Sequence, residues 1–110
     1  MSLNDISATQ AVDKIRKGEI TSEELVQDCL DKIEQIDGET EAWAYLNPDY
    51  ALEQARRLDI IRQAGDPMGP LHGIPVGIKD IIDTAHVPTE FGTPIHTGRI
   101  PFRDAWVVSR

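Results

Sequence analysis

One cysteine in 110 residues is too few for an internal disulfide and too few for a cysteine-based zinc site. Cys29 falls on an apolar position of a helical pattern, so it reads as a small buried hydrophobe. Long apolar runs are missing as well, and nothing approaches the roughly 18 residues needed to cross a bilayer. The opening "MSLNDISATQ" has neither a basic stretch nor an apolar core, so it does not read as a secretory leader. The expectation is a soluble, cytoplasmic protein with no membrane partner. Positive charge is scarce: 11 Lys and Arg stand against 19 Asp and Glu, a net charge of -8. The imbalance lies wholly in residues 1–70, with 15 acids against 7 bases, whereas residues 71–110 hold four of each. An acidic surface repels phosphate backbones, which argues against nucleic-acid binding by charge attraction.

What remains is an ordinary globular mixture, 40% hydrophobic and 27% charged, so disorder is not the default. A chain of this length supports one core, burying somewhat over about 60% of its unfolded surface. Two segments announce helices. In "SATQAVDKIRKG", Ser7 and Gln10 have capping-box spacing, Ala8, Ala11, Val12 and Ile15 share a face, and Gly18 is a C-terminal stop. In "TSEELVQDCLDKIEQIDG", Thr21 and Glu24 repeat the box, Leu25, Val26, Cys29, Leu30, Ile33 and Ile36 form the stripe, and Gly38 is expected to close it.

"AWAYLNPDY" changes period, with Trp43 and Tyr45 alternating against small or aliphatic neighbours, which predicts a short core strand ending at Asn47. Asn47 and Pro48 then form a cap and first turn for a third helix reaching about Ala64, with Ala51, Leu52, Ala55, Leu58 and Ile61 inward. Beyond "GDPMGP", the texture turns to Gly, Pro and β-branched residues. Ile74 to Asp83 reads as a strand, and Pro88, Pro94, Pro101, Gly92 and Gly98 rule out a helix in the turn-rich stretch that follows. Asp104 is the expected cap of a helix starting at "AWVVSR". Trp106, Val107 and Val108 in that helix call for a partner surface, so the expectation is a piece of a longer polypeptide.

Inside the apolar run "HGIPVGIKDIID" stands one cation, Lys79. In an extended segment Pro75, Gly77, Lys79 and Ile81 share a face. Gly77 would leave room for another backbone, and the apolar neighbours would desolvate the amine. A lysine, ordinarily near pKa 10.4, becomes a usable base near neutrality only when burial or nearby charge lowers it to about 7–8. A lone lysine in a strand is otherwise a solvent-facing residue.

The wider stretch "GPLHGIPVGIKDIIDTAHVPTEFGTPIHTGRIPFRDAWVV" resembles the opening of the amidase signature family, which carries a PL-x-GIP-x-x-x-KD core, a T-x-x-G segment and a P-x-x-DA-x-VV helix start. The matching residues are Pro70, Leu71, Gly73, Ile74, Pro75, Lys79, Asp80, Thr89, Gly92, Pro101, Asp104, Ala105, Val107 and Val108. "GEITSEELVQDCLDKIEQID" and "ALEQARRLD" are similar in kind and order to the family's N-terminal helices. The resemblance implies an α/β fold, here the N-terminal fragment of a mixed-sheet amidase domain. On that reading residues 1–68 are a helical lead-in, and residues 69–110 are a strand and loop region carrying the lysine motif.

The resemblance further implies hydrolysis of an amide C–N bond by a Ser–cis-Ser–Lys arrangement. Lys79 would be the catalytic base acting through the bridging serine, and backbone N–H groups of a glycine-rich loop would hold the oxyanion. Neither family serine is matched: Ser2, Ser7, Ser22 and Ser109 lie in no glycine- and serine-rich context. The 110 residues alone are therefore expected to be inactive. The implied partner is a small-molecule amide; no cofactor or metal is expected, and no substrate-binding residue is assigned. An unpaired strand edge would favour a homo-oligomer.

Two alternatives stay open. One is a non-catalytic scaffold or interaction module derived from an amidase. The other is the N-terminal part of the amidotransferase subunit that supplies ammonia from glutamine to an aminoacylated tRNA, although "HGIPVGIKDIIDTAHVPTE" looks more like a stand-alone amidase. His72, His86 and His96, spaced 14 and 10 apart, match no metal-ligand pattern and read as loop and strand-end residues. Asp80 and Asp83 follow Lys79 closely enough to form a paired acid site, but the family's KD pair implies that Asp80 bonds backbone or holds a turn, and neither reads as a general acid.

Overall fold

The computed structural model describes residues 2–110. Its regular elements are helical: a 3-10 turn at Leu3–Asp5, then α1 (Ala8–Lys17), α2 (Ser22–Thr40), α3 (Pro48–Gln63), a 3-10 turn at Pro94–His96, and the short α4 (Trp106–Ser109). The residues fall into two compact units, one of residues 2–42 with 46–75, the other of residues 43–45 with 76–110.

The first unit is built by local signals that agree with one another. Ser7 accepts from the Gln10 N–H while the Gln10 side chain accepts from the Ser7 N–H, and Thr21 and Glu24 do the same for α2. Each box satisfies two helix N–H groups that have no partner within the helix. Gly18 ends α1 in the left-handed region at φ 72°, and a Cβ there would also stand 3.1 Å from the Arg62 guanidinium. Asn47 caps α3 through the Tyr50 N–H, with Pro48 in the first turn. Ala11, Ile15 and Leu25 form the apolar core, with Leu3, Ile6, Ile20, Cys29 and Ile74 packed around it. Burial pushes the Cys29 thiol pKa up, and the Asp28 charge adds to the rise.

Polar bonds fasten the rest of this unit. Asp28 on α2 accepts from the Asn4 N–H at 2.7 Å and from the Ser2 hydroxyl at 2.8 Å, and these bonds hold its carboxyl below the usual range. Asp59 of α3 is buried and takes the Ser22 and Glu23 N–H groups at 2.7 and 3.0 Å. A side chain from one helix thus caps the positive end of another. The buried Ser22 hydroxyl donates to the Gly73 carbonyl at 2.7 Å. His72 is also buried, and its Nε2–H donates to the Leu58 carbonyl at 2.8 Å. Gly73 has φ 82°, and a Cβ on it would lie 3.1 Å from both the Ile15 side chain and Ser22 Cβ, so no side chain fits.

Several expectations are corrected. The described residues contain no strand, so the mixed-sheet α/β architecture is not present here. An extended segment becomes a strand only when a neighbour supplies ladder hydrogen bonds. Neither 43–45 nor 74–83 has such a neighbour among the described residues, and the second bends into a turn where the Ile82 N–H donates to the Lys79 carbonyl. The strand edge expected to drive self-association is therefore absent as well. Gly38 does not close α2, which runs on to Thr40 and ends with Glu41 at φ 49°; with no Cβ clash and no positive φ at Gly38, the helix passes through it. Asp104 does not cap α4: Ala105 occupies that position without a side-chain bond.

Candidate functional site

Lys79 belongs to the second unit, which has little regular structure and is held together by acidic residues bonded to backbone N–H groups and to Arg99. Asp80, Asp83 and Asp104 do most of this, with the Glu90 carboxylate accepting from the Gly98 N–H. Asp80 accepts from the Glu90 N–H at 2.9 Å and the Gly92 N–H at 3.1 Å, while its carbonyl takes the Phe91 N–H at 2.9 Å. Asp83 meets Arg99 through both carboxylate oxygens, at 2.7 and 3.0 Å, and its carbonyl accepts from the Ala105 N–H. Asp104 accepts from the Ala85 N–H at 2.7 Å, so the expected helix cap fastens a distant loop instead.

Arg99 gathers this unit further. Its guanidinium donates to the Thr89 carbonyl at 3.2 Å and lies 4.8 Å from the Phe91 ring centre, while His96 packs edge-on against the same ring at 5.1 Å. The hydrogen bond from Arg99, with its charge adding, holds the Asp83 carboxyl below its usual range, and the same pairing raises Arg99. Backbone bonds from Thr89 to Arg99 and from His86 to Pro101 run between the same segments. Thr89 and Pro101 are the buried residues at their centre.

Lys79 itself is exposed, as are Ile78 and Ile81 beside it, so the apolar desolvation expected from the sequence is not supplied by the described residues. Gly77 does make room for a close neighbour, but for a side chain rather than a backbone: a Cβ there would lie 3.3 Å from the Trp43 ring. Trp43 and Tyr45, expected as strand and core, are exposed at 38% and 42%.

The serines have structural duties. Ser7 caps α1, Ser22 is bonded to Gly73, Ser2 to Asp28, and Ser109 to the Trp106 carbonyl. Among the described residues, no group of three or more His, Cys, Asp or Glu is arranged to hold a metal ion, and no helix is long and apolar enough to cross a membrane. What sequence reasoning missed is the network of Asp59, Ser22, His72 and Gly73. Its one legible signal was an acid, Asp59, on the inward stripe of α3.

The family model described as Amidase matches residues 24–110, a span that includes Lys79 and Asp80. The chain is 36% identical over 108 residues to a glutamyl-tRNA(Gln) amidotransferase subunit from Salinispora arenicola, and 41% identical over 108 residues to the same subunit from Chloroflexus aurantiacus. Each alignment takes in 98% of this chain and 22% of the relative. It is 36% identical over 109 residues to AmiD of Mycobacterium bovis, named for an inferred amidase activity, covering 99% of this chain and 23% of AmiD. A solved chain from a vestigial protein complex, which bears on the evolutionary origins of an s-triazine catabolic enzyme, superposes with a TM-score of 0.87 at 25% identity. That superposition covers 94% of this chain and 23% of the other. The chain thus spans between a fifth and a quarter of the length of the relatives it matches. With most of its residues inside the family model and its lysine motif in the same span, the chain belongs to the amidase family.

Proposed function

We propose that these residues serve an enzyme that hydrolyses the C–N bond of a small-molecule amide, with Lys79 as its general base. The observation that carries this reading is the match to the Amidase model over residues 24–110, which takes in the "GIPVGIKD" segment. In the mechanism that the family resemblance implies, the neutral Lys79 amine accepts a proton from a bridging serine, which takes one from the nucleophilic serine. The nucleophile attacks the amide carbon, the oxyanion rests on backbone N–H groups, and the amine leaves with the proton returned to it. Water then releases the acid by the same route.

None of the four serines in this sequence fits either role, so the 110 residues alone are predicted to turn over no amide. A cytoplasmic setting belongs to this reading, supported by the tRNA amidotransferase names of several relatives. The test is hydrolysis of a panel of aliphatic and aromatic amides by a polypeptide carrying these residues at the length of the relatives. Lys79→Ala should reduce kcat by at least about 10³-fold; retention of most of the activity in Lys79→Ala would overturn the assignment.

A second reading is favoured by those names: a subunit that amidates glutamyl-tRNA with a partner protein. It predicts ammonia transfer to the charged tRNA only when the partner is added, whereas a stand-alone amidase releases ammonia without one. Association with a partner or a second copy belongs to this reading, supported by the word "subunit" in those names and by the complex in which the structural relative was found.

A further inference from the structure

We propose that Asp80 is a positioning residue for Lys79. It acts by filling a nest of three consecutive backbone N–H groups, those of Glu90, Phe91 and Gly92. The inference deepens the amidase reading and rests on it only for the role of Lys79, since the hold on the backbone is visible without any reaction.

The three amides converge on a single residue: two reach the Asp80 carboxylate and the middle one reaches its carbonyl. Such convergence needs an unusual backbone, and it is present. Phe91 and Gly92 are both left-handed, at φ 57° and 66°. Successive N–H groups turned to one side in this way form a concavity that favours an anion. A bulky residue such as phenylalanine rarely takes a positive φ and is strained there, so something must hold it; the bonds to Asp80 and the packing of Arg99 and His96 on the Phe91 ring do so. Here the anion is internal, and it is the residue bonded directly to Lys79.

The Lys79 backbone is bonded as well. Its carbonyl accepts the Ile82 N–H at 3.0 Å, so the carbonyls of Lys79 and of Asp80 beside it are both held. The amine hangs on a flexible four-carbon stem, and only its anchoring point can be set in advance. A base that must meet a hydroxyl at hydrogen-bonding distance is sensitive to that point, because a misplacement of about 1 Å can cost on the order of 10²-fold in rate. The carboxylate is required for the grip: an asparagine has one acceptor oxygen in place of two, and its NH₂ would face an N–H.

The test compares Asp80→Asn with Asp104→Asn, which loosens the Ala85 amide in the same unit but leaves the nest its carboxylate and Phe91 its packing. In the 110-residue chain, amide hydrogen exchange at Glu90 and Gly92 should quicken at least about tenfold in Asp80→Asn. The ¹⁵N heteronuclear NOE of Lys79 should fall toward that of a mobile loop. Asp104→Asn should change both readouts less than threefold, and exchange at Ile15 and Leu25 should be unaltered in either variant. Unchanged exchange at 90 and 92, an unchanged Lys79 NOE, or equal effects of the two variants would overturn the proposal.

In the amide-hydrolysing protein, Asp80→Asn should lower kcat about 10- to 100-fold with KM within threefold. Full kcat in that variant, where Lys79→Ala is inactive, would also overturn it. If Lys79→Ala proves as active as the parent, the amidase reading fails and the positional claim is decided by exchange and NOE alone.

Discussion

The two units are held by different physics. In residues 2–42 and 46–75, helices form from their own caps and stripes and bury Ala11, Ile15 and Leu25 against each other. In residues 43–45 and 76–110 few side chains are buried, and Val76, Ile95, Phe102 and Trp106 are between 68% and 87% exposed. Shape there comes from Asp80, Asp83 and Asp104 bonded to backbone amides and to Arg99. Apolar burial is non-directional and tolerates adjustment, whereas a carboxylate on two N–H groups fixes a backbone in one geometry. Lys79, proposed above as the general base, sits in the second kind of structure, where direction matters more than stability.

Substitutions sharpen that contrast. Ile15→Ala removes a fully buried side chain and should cost about 2–5 kcal/mol of unfolding free energy, measured by urea denaturation. Asp59→Ala strips two N–H groups at the start of α2 of their acceptor, the Ser22 one being buried, and should cost about 1–3 kcal/mol. Gly38→Ala, in the last turn of α2 with open space around the new methyl, should stabilise by about 0.4 kcal/mol. None of the three should alter amide exchange at Glu90 and Gly92.

Acid probes the polar side of the comparison. The Asp83 carboxyl is lowered in the folded state from an ordinary value of 3.8, so its contribution is fully present above that value and is lost as pH falls through the lowered one. Asp28, lowered by its bonds to Asn4 and Ser2, responds with the same sign. Exchange of the Asn4 amide and of the Arg99 guanidinium protons, which are bonded to the carboxylates of Asp28 and Asp83, should rise below about pH 4 once corrected for intrinsic rates, while Ile15 and Leu25 stay protected.

The sequence made the first unit legible because its signals are local. Ser7 with Gln10, Thr21 with Glu24, and Asn47 with Pro48 each state a helix start within four residues, and all three helices begin there. The ends were less legible, since Gly38 looks like a stop and is not one. The 74–83 segment misled because β-branched residues and Pro signal extended backbone, and extended backbone is a strand only beside a partner. That Asp80 holds backbone was implied by the family's KD pair. Its partners at 90 and 92, like the Asp83–Arg99 pair and the Asp59 cap, were not, because they join residues 10 to 37 positions apart and no local pattern encodes such pairing.

The claim that Lys79 is the base of an amide hydrolase is tested most directly by trapping the covalent intermediate. A polypeptide carrying these residues at the relatives' length would be mixed with an activated amide, quenched, and weighed intact by mass spectrometry. The account predicts an acyl adduct that forms in the parent and fails to accumulate in Lys79→Ala. An adduct forming at the parental rate in Lys79→Ala would contradict it.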